Sequence, residues 1–156
     1  MNAIGFVKKF GLGKVIELLN RIESETEFLL NYSDTYLYPV QLKSDWCNEG
    51  EFSQYCESEL YWVSRSMSKD DEDINDHWFA SVLVLKQIVE AFELVEYCNG
   101  LEDAKELLDE IDSERWVYNL YTNTVISSDY SPCDNMCIKY DVLKQAIELV
   151  EKCNEM

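Results

Sequence analysis

Within Leu101–Ile111 (LEDAKELLDEI), five carboxylates fall on about a third of a helical wheel: Glu102, Asp103, Glu106, Asp109 and Glu110. Asp112 and Glu114 prolong the row. Glu102, Glu106 and Glu110 recur one turn apart, about 6 Å, near the ~7 Å between successive phosphates of a nucleic-acid strand, whose axial rise is about half that. Only Lys105 interrupts the row, so i,i+4 pairing leaves most of these charges uncompensated. A second acidic run is Asp70, Asp71, Glu72 and Asp73. Such groups can capture cations or lysine and arginine side chains. Carboxylates in a solvated acidic field, without a pocket, do not make a tuned acid–base pair.

Other chemistry is poorly supplied. His77 is the single histidine and precedes an apolar run, a place that suits a helix-start residue better than a general base. No nucleophile elbow or phosphate-cradling loop occurs, and five glycines leave little material for one. Cys133 and Cys137 have the wrong gap for a zinc knuckle, and the 70–73 run lacks the alternating ligands and central glycine of a calcium loop. Tryptophans 46, 62, 78 and 116 and their neighbouring tyrosines could stack on bases only where phosphates are neutralised, and here the surrounding charge is negative. The reading is no catalytic residue, no metal site, no cofactor and no enzyme.

The net charge is −18, from 31 acidic and 13 basic residues, and every acid lies from Glu17 onward. A field of that sign repels nucleic acid and anionic membrane and attracts basic protein surfaces. With 47% hydrophobic residues the chain has material for a core and is no disordered acidic tail. No apolar run reaches the ~18 residues of a membrane span, and nothing resembles a secretory leader. A cytoplasmic location is therefore expected, with Cys47, Cys56, Cys98, Cys133, Cys137 and Cys153 reduced.

The elements that must position these groups are legible from periodicity. Helices are expected at 1–10 (a turn or two), Leu12–Glu25, Trp78–Cys98 with Asn75 or Asp76 as N-cap, Leu101–Ile111, and Val142–Cys153 capped by Asp141. Asn99-Gly100 is a left-handed stop. Phe28–Val40 and Trp116–Ile126 have hairpin composition, with Asn123 as a turn residue, and Ser58–Ser66 reads as a further strand. Residues 41–54, 69–76 and 127–137 read as loop. The fold class is α+β: a single domain, 1–156, with helices packed on one small antiparallel sheet.

The chain also matches itself. Gly11-Leu12, Glu17-Leu18-Leu19, Ile22, Ser24-Glu25, Tyr32 and Thr35 recur without a gap as Gly100-Leu101, Glu106-Leu107-Leu108, Ile111, Ser113-Glu114, Tyr121 and Thr124, 89 residues on, the distance from Gly11 to Gly100. Val84-Leu85-Lys86-Gln87 recurs as Val142-Leu143-Lys144-Gln145, 58 residues on, and later matches in the same helices slip by three residues. An internal duplication is expected, with pseudo-repeats at about 11–99 and 100–154 and an insertion at about 43–76.

These features point to a non-enzymatic acidic binding protein. It would act as a stoichiometric inhibitor or decoy on the basic nucleic-acid-binding surface of a partner, an enzyme, complex or toxin. DNA-mimic proteins of phages and mobile elements, among them anti-restriction and anti-CRISPR proteins, offer an analogy of charge and size, and so do immunity proteins. The other reading is a structural or adaptor domain whose acidity serves only solubility. Neither requires nucleic-acid or membrane contact, and a homodimer stays open. A decoy requires the 70–73 run and the 102–114 row on one side of the molecule.

Overall fold

The computed structural model describes residues 3–31, 39–45, 47, 49–68, 78–130 and 134–155. Among them are five α-helices and eight strands, an α+β fold. The strands form two antiparallel sheets where one was expected. The chain divides into two units, Met1–Gln87 and Ile88–Met156.

In the first unit, helices α1 (Ala3–Phe10) and α2 (Leu12–Leu19) are separated by Gly11, whose φ of 82° suits a residue without a Cβ. Five strands follow: β1 (Phe28–Asn31), β2 (Val40–Ser44), β3 (Glu51–Cys56), β4 (Tyr61–Ser68) and β5 (Trp78–Ser81). Their spatial order is β4-β3-β2-β1-β5. Alternation puts Leu30, Leu42 and Phe52 on one buried face, packed with Phe28, Val40 and Phe79. Phe28 stacks on Phe79 at 5.0 Å between ring centroids and meets Phe52 edge-on at 5.5 Å. The other face buries Leu29, Ala80, Gln41 and Ser53, and α1 packs against β5 and α2.

Three expectations need correction here. Residues 41–54 are not loop: β2 and the start of β3 occupy them, and the polar Gln41 and Ser53 are buried in the sheet, so the apolar alternation that marks a strand was hidden. The helix expected to reach Glu25 ends at Leu19. Gln41 Oε1 accepts hydrogen bonds from Glu23 N and Thr26 Oγ1, both at 2.8 Å, and these hold the following residues in turns. Trp78–Ser81 are a strand paired with β1 (Leu30 opposite Phe79, Leu29 opposite Ala80), so helix α3 spans Val82–Tyr97. Pairing with β1 lies beyond the reach of local periodicity. β4 also begins later than expected, because Glu57–Leu60 form the turn before it. Asn75 and Asp76 lie outside the described residues.

The second unit contains α4 (Leu101–Ile111), β6 (Trp116–Asn119), β7 (Thr124–Ser127), β8 (Cys137–Lys139) and α5 (Tyr140–Asn154), with strand order β7-β6-β8. Asn99 and Gly100 take φ of 67° and 115°, the left-handed stop. β8 was not expected: Cys137 closes an expected loop, and Ile138 and Lys139 belong to no expected element. Two short 3-10 turns, Ser128–Tyr130 and Asp134–Met136, occupy the rest of the described part of that segment. Lys139, not Asp141, precedes the last helix. Ala104 and Ile111 of α4 meet Ile138, Leu143, Ala146, Ile147 and Val150 in one buried cluster with Ala91, Val95 and Cys98.

The same arrangement recurs in both units. β1 lies between its hairpin partner β2 and the strand β5, which leads directly into a helix; β6 lies between β7 and β8, which also leads into a helix. In the first unit Phe28, Leu29 and Leu30 face Ser81, Ala80 and Phe79. Offsets of 89 and 58 residues carry these pairs onto Val117 with Lys139, Tyr118 with Ile138 and Asn119 with Cys137, which are the observed pairs in the second. β3 and β4 have no counterpart in the second sheet.

Among the described residues no helix is long and apolar enough to cross a membrane.

Candidate functional site: an acidic cleft on α4

Helix α4 forms because Leu101, Ala104, Leu107, Leu108 and Ile111 repeat at helical spacing, and burial of Ala104 and Ile111 fixes which side faces out. Glu102, Asp103, Glu106, Asp109 and Glu110 are all exposed, as are Asp112 and Glu114 beyond its end. They do not act as one row. Lys105 binds Glu151 of α5 at 2.8 Å and approaches Glu102 at 3.6 Å, so Glu102 is partly compensated. The bond to Glu151 is the chief reason the Lys105 ammonium holds its proton above the usual lysine range. Asp103, Glu106 and Glu110 have no cation beside them among the described residues, and these three line an open cleft of about 410 Å3. Asp109, Asp112 and Glu114 lie outside it. Asp70, Asp71, Glu72 and Asp73, like His77 and Cys133, lie outside the described residues.

The cleft combines those carboxylates with an apolar floor and aromatic sides. Cys98 and Ile138 are buried at its base, Tyr97 is largely exposed at its edge, and Tyr118 and Asn123 complete the lining from β6 and the turn after it. The Tyr118 hydroxyl lies 3.4 Å from Asn123 Oδ1, a weak bond that ties the ring to the turn of its own hairpin. Carboxylates beside tyrosine rings suit a guanidinium or ammonium group, which gains charge pairing and contact with the ring faces.

The matched helix in the first unit shows what is particular to α4. The 89-residue offset sets Asp103, Glu106 and Glu110 against Lys14, Glu17 and Arg21. There Glu17 Oε1 lies 3.1 Å from Lys14 and 3.6 Å from Arg21. Lys14 and Arg21 together hold the Glu17 carboxyl below the usual range, with Lys14 the larger cause. One helix neutralises these three positions internally; the other leaves three negative charges at them.

Cys98 offers a chemical probe of the cleft floor. Burial raises its thiol pKa, and the nearby Asp103 carboxylate adds to the rise. At pH 8, Cys98 is expected to react with iodoacetamide at least ~10-fold more slowly than the exposed Cys47. Peptide mapping of the alkylated protein measures this, and equal rates would contradict the buried floor.

Sequence reasoning found the carboxylates but missed Tyr97, Tyr118 and Asn123 as their neighbours, since strand pairing in the second sheet sets Tyr118 opposite Ile138. A usable signal was nevertheless present. Aligning the two matched helices shows Lys14 and Arg21 replaced by Asp103 and Glu110. No protein-family model, curated protein or solved structure matches this chain.

Proposed function

We propose that the protein is a non-enzymatic acidic binding protein, a stoichiometric inhibitor or decoy that occupies the basic nucleic-acid-binding surface of a partner protein. The observation that supports it is the cleft of Asp103, Glu106 and Glu110, uncompensated where the matched helix carries Lys14, Glu17 and Arg21. Asp103, Glu106 and Glu110 follow one another along one side of α4 with no cation beside them among the described residues, so a bound ammonium or guanidinium group supplies the charge pairing they lack. A lysine or arginine of the partner, one that would otherwise hold a phosphate, enters between Tyr97 and Tyr118, and the net charge of −18 steers the approach.

The reading is tested with an octa-arginine peptide standing for the partner surface. Its association rate is expected to fall at least ~10-fold between about 20 mM and about 300 mM salt, because screening shortens the reach of the field. Stopped-flow fluorescence measures the rate, and a rate independent of salt removes the steering mechanism.

A further inference from the structure

A second pocket, of about 280 Å3, opens in the first unit between the end of α2, β2, and the β3–β4 turn. At ~30 Å3 each, that is roughly nine waters' share of liquid volume, room for one amino-acid side chain. Gln41 lies in its lining and is only 8% exposed. Its Oε1 already accepts from the backbone N–H of Glu23 and from Thr26, and a backbone N–H can only donate, so the orientation of the amide is settled. Nε2 therefore faces the other way; no protein acceptor meets it among the described residues, and it is not sealed from solvent. A water at this donor can be replaced by a carbonyl oxygen of a bound molecule.

The mouth of the pocket has a second anomaly. Leu60 ends the four-residue turn Glu57–Leu60 with φ of 59° and is 76% exposed. In the second unit the four-residue turn 120–123 ends at Asn123 with φ of 53°. Asparagine and glycine adopt this left-handed conformation readily, whereas leucine is strained in it. The turn is closed by the Leu60 N–H, which donates to Cys56 O at 2.9 Å, and the leucine side chain stays in solvent at the pocket rim. The charged rim favours a cation: Glu23 and Glu57 are carboxylates, and Arg21 is drawn to Glu17.

We propose that this pocket seats an extended segment of a partner polypeptide, in which one apolar side chain packs between Leu18, Ile22 and Leu60. A main-chain carbonyl of the segment accepts from Gln41 Nε2, and an adjacent lysine or arginine pairs with Glu23 or Glu57. This goes beyond the α4 cleft and does not depend on it.

The probe is acetyl-Gly-Leu-Lys-Gly-amide, titrated into the 15N-labelled protein. The Gln41 side-chain NH2 pair and the Leu60 amide are expected to shift, with smaller shifts for the peptide carrying Glu in place of Lys and none for free L-leucine. Leu60→Gly is expected to weaken binding at least tenfold while raising the thermal midpoint by about 2–4 °C, since glycine relieves the strained φ. Glu57→Lys, at an exposed site, is expected to weaken it as well. Lysine replacements at Asp103, Glu106 and Glu110 should leave it unchanged, which separates failure here from failure of the α4 reading. An unmoved Gln41 amide, an equal response to free leucine, or unchanged affinity in both Leu60→Gly and Glu57→Lys would overturn the proposal.

Discussion

Changing Asp103, Glu106 and Glu110 together to lysine is expected to weaken octa-arginine binding at least 100-fold, about 2.8 kcal/mol at 1.4 kcal/mol per tenfold. The three carboxylates line one cleft and have no cation beside them among the described residues, so each reversal replaces an attraction with a repulsion at short range. The matching control is Asp109, Asp112 and Glu114 to lysine, which changes the net charge by the same six units but lies outside the cleft. That variant is expected to slow association by a few-fold through the weaker field and to leave dissociation almost unchanged. Isothermal titration with stopped-flow kinetics distinguishes the two. If both triples weakened binding equally, net charge alone would be at work, and the adaptor reading, with acidity serving solubility, would be preferred. All six positions are exposed; Asp112, with φ of 66°, is the one at which lysine adds backbone strain, so the melting midpoint of the control variant is measured beside its binding.

The largest effect on stability is expected at Phe52, which is 1% exposed and sits against both Phe28 and Phe79, at 5.5 and 5.9 Å between centroids. Phe52→Ala removes a buried ring from a close-packed sheet face and is expected to cost about 3–5 kcal/mol. For a chain of this length the thermal midpoint should fall by roughly 6–20 °C. Circular dichroism melts measure the fall. A cost under about 1 kcal/mol would mean that the aromatic cluster is not the packed core of the first sheet.

Local pattern determined more of the molecule than its charge did. Leu101–Ile111 was readable as a helix because its apolar residues, its preceding Asn99-Gly100 stop and its acidic first turn all agree. Hairpin chemistry placed β6, β7 and the turn residue Asn123 for the same reason. The α+β class followed from alternating helical and β-rich stretches. The carboxylates of the cleft were equally visible, and so was their contrast with Lys14, Glu17 and Arg21 at the matching positions.

Tertiary contacts decided the rest, because the deciding bonds join residues far apart in the chain. Trp78–Ser81 read as the start of a long apolar helix, yet the ladder to β1 draws those residues into a strand. Leu12–Glu25 kept its helical period to Ile22, but Gln41, 18 residues beyond Glu23, takes the Glu23 N–H and ends the helix early. Burying Gln41 and Ser53 inside a sheet reverses the usual polarity signal, so β2 and the start of β3 were invisible to it. The division of the acidic row has the same origin. Only the packing of α4 against α5 brings Glu151 to Lys105, and only the strand register of the second sheet puts Tyr118 beside Asp103, Glu106 and Glu110. The sequence by itself settled which residues carry charge and which segments can be helical; long-range hydrogen bonding settled where the helices stop and which three charges share a cleft.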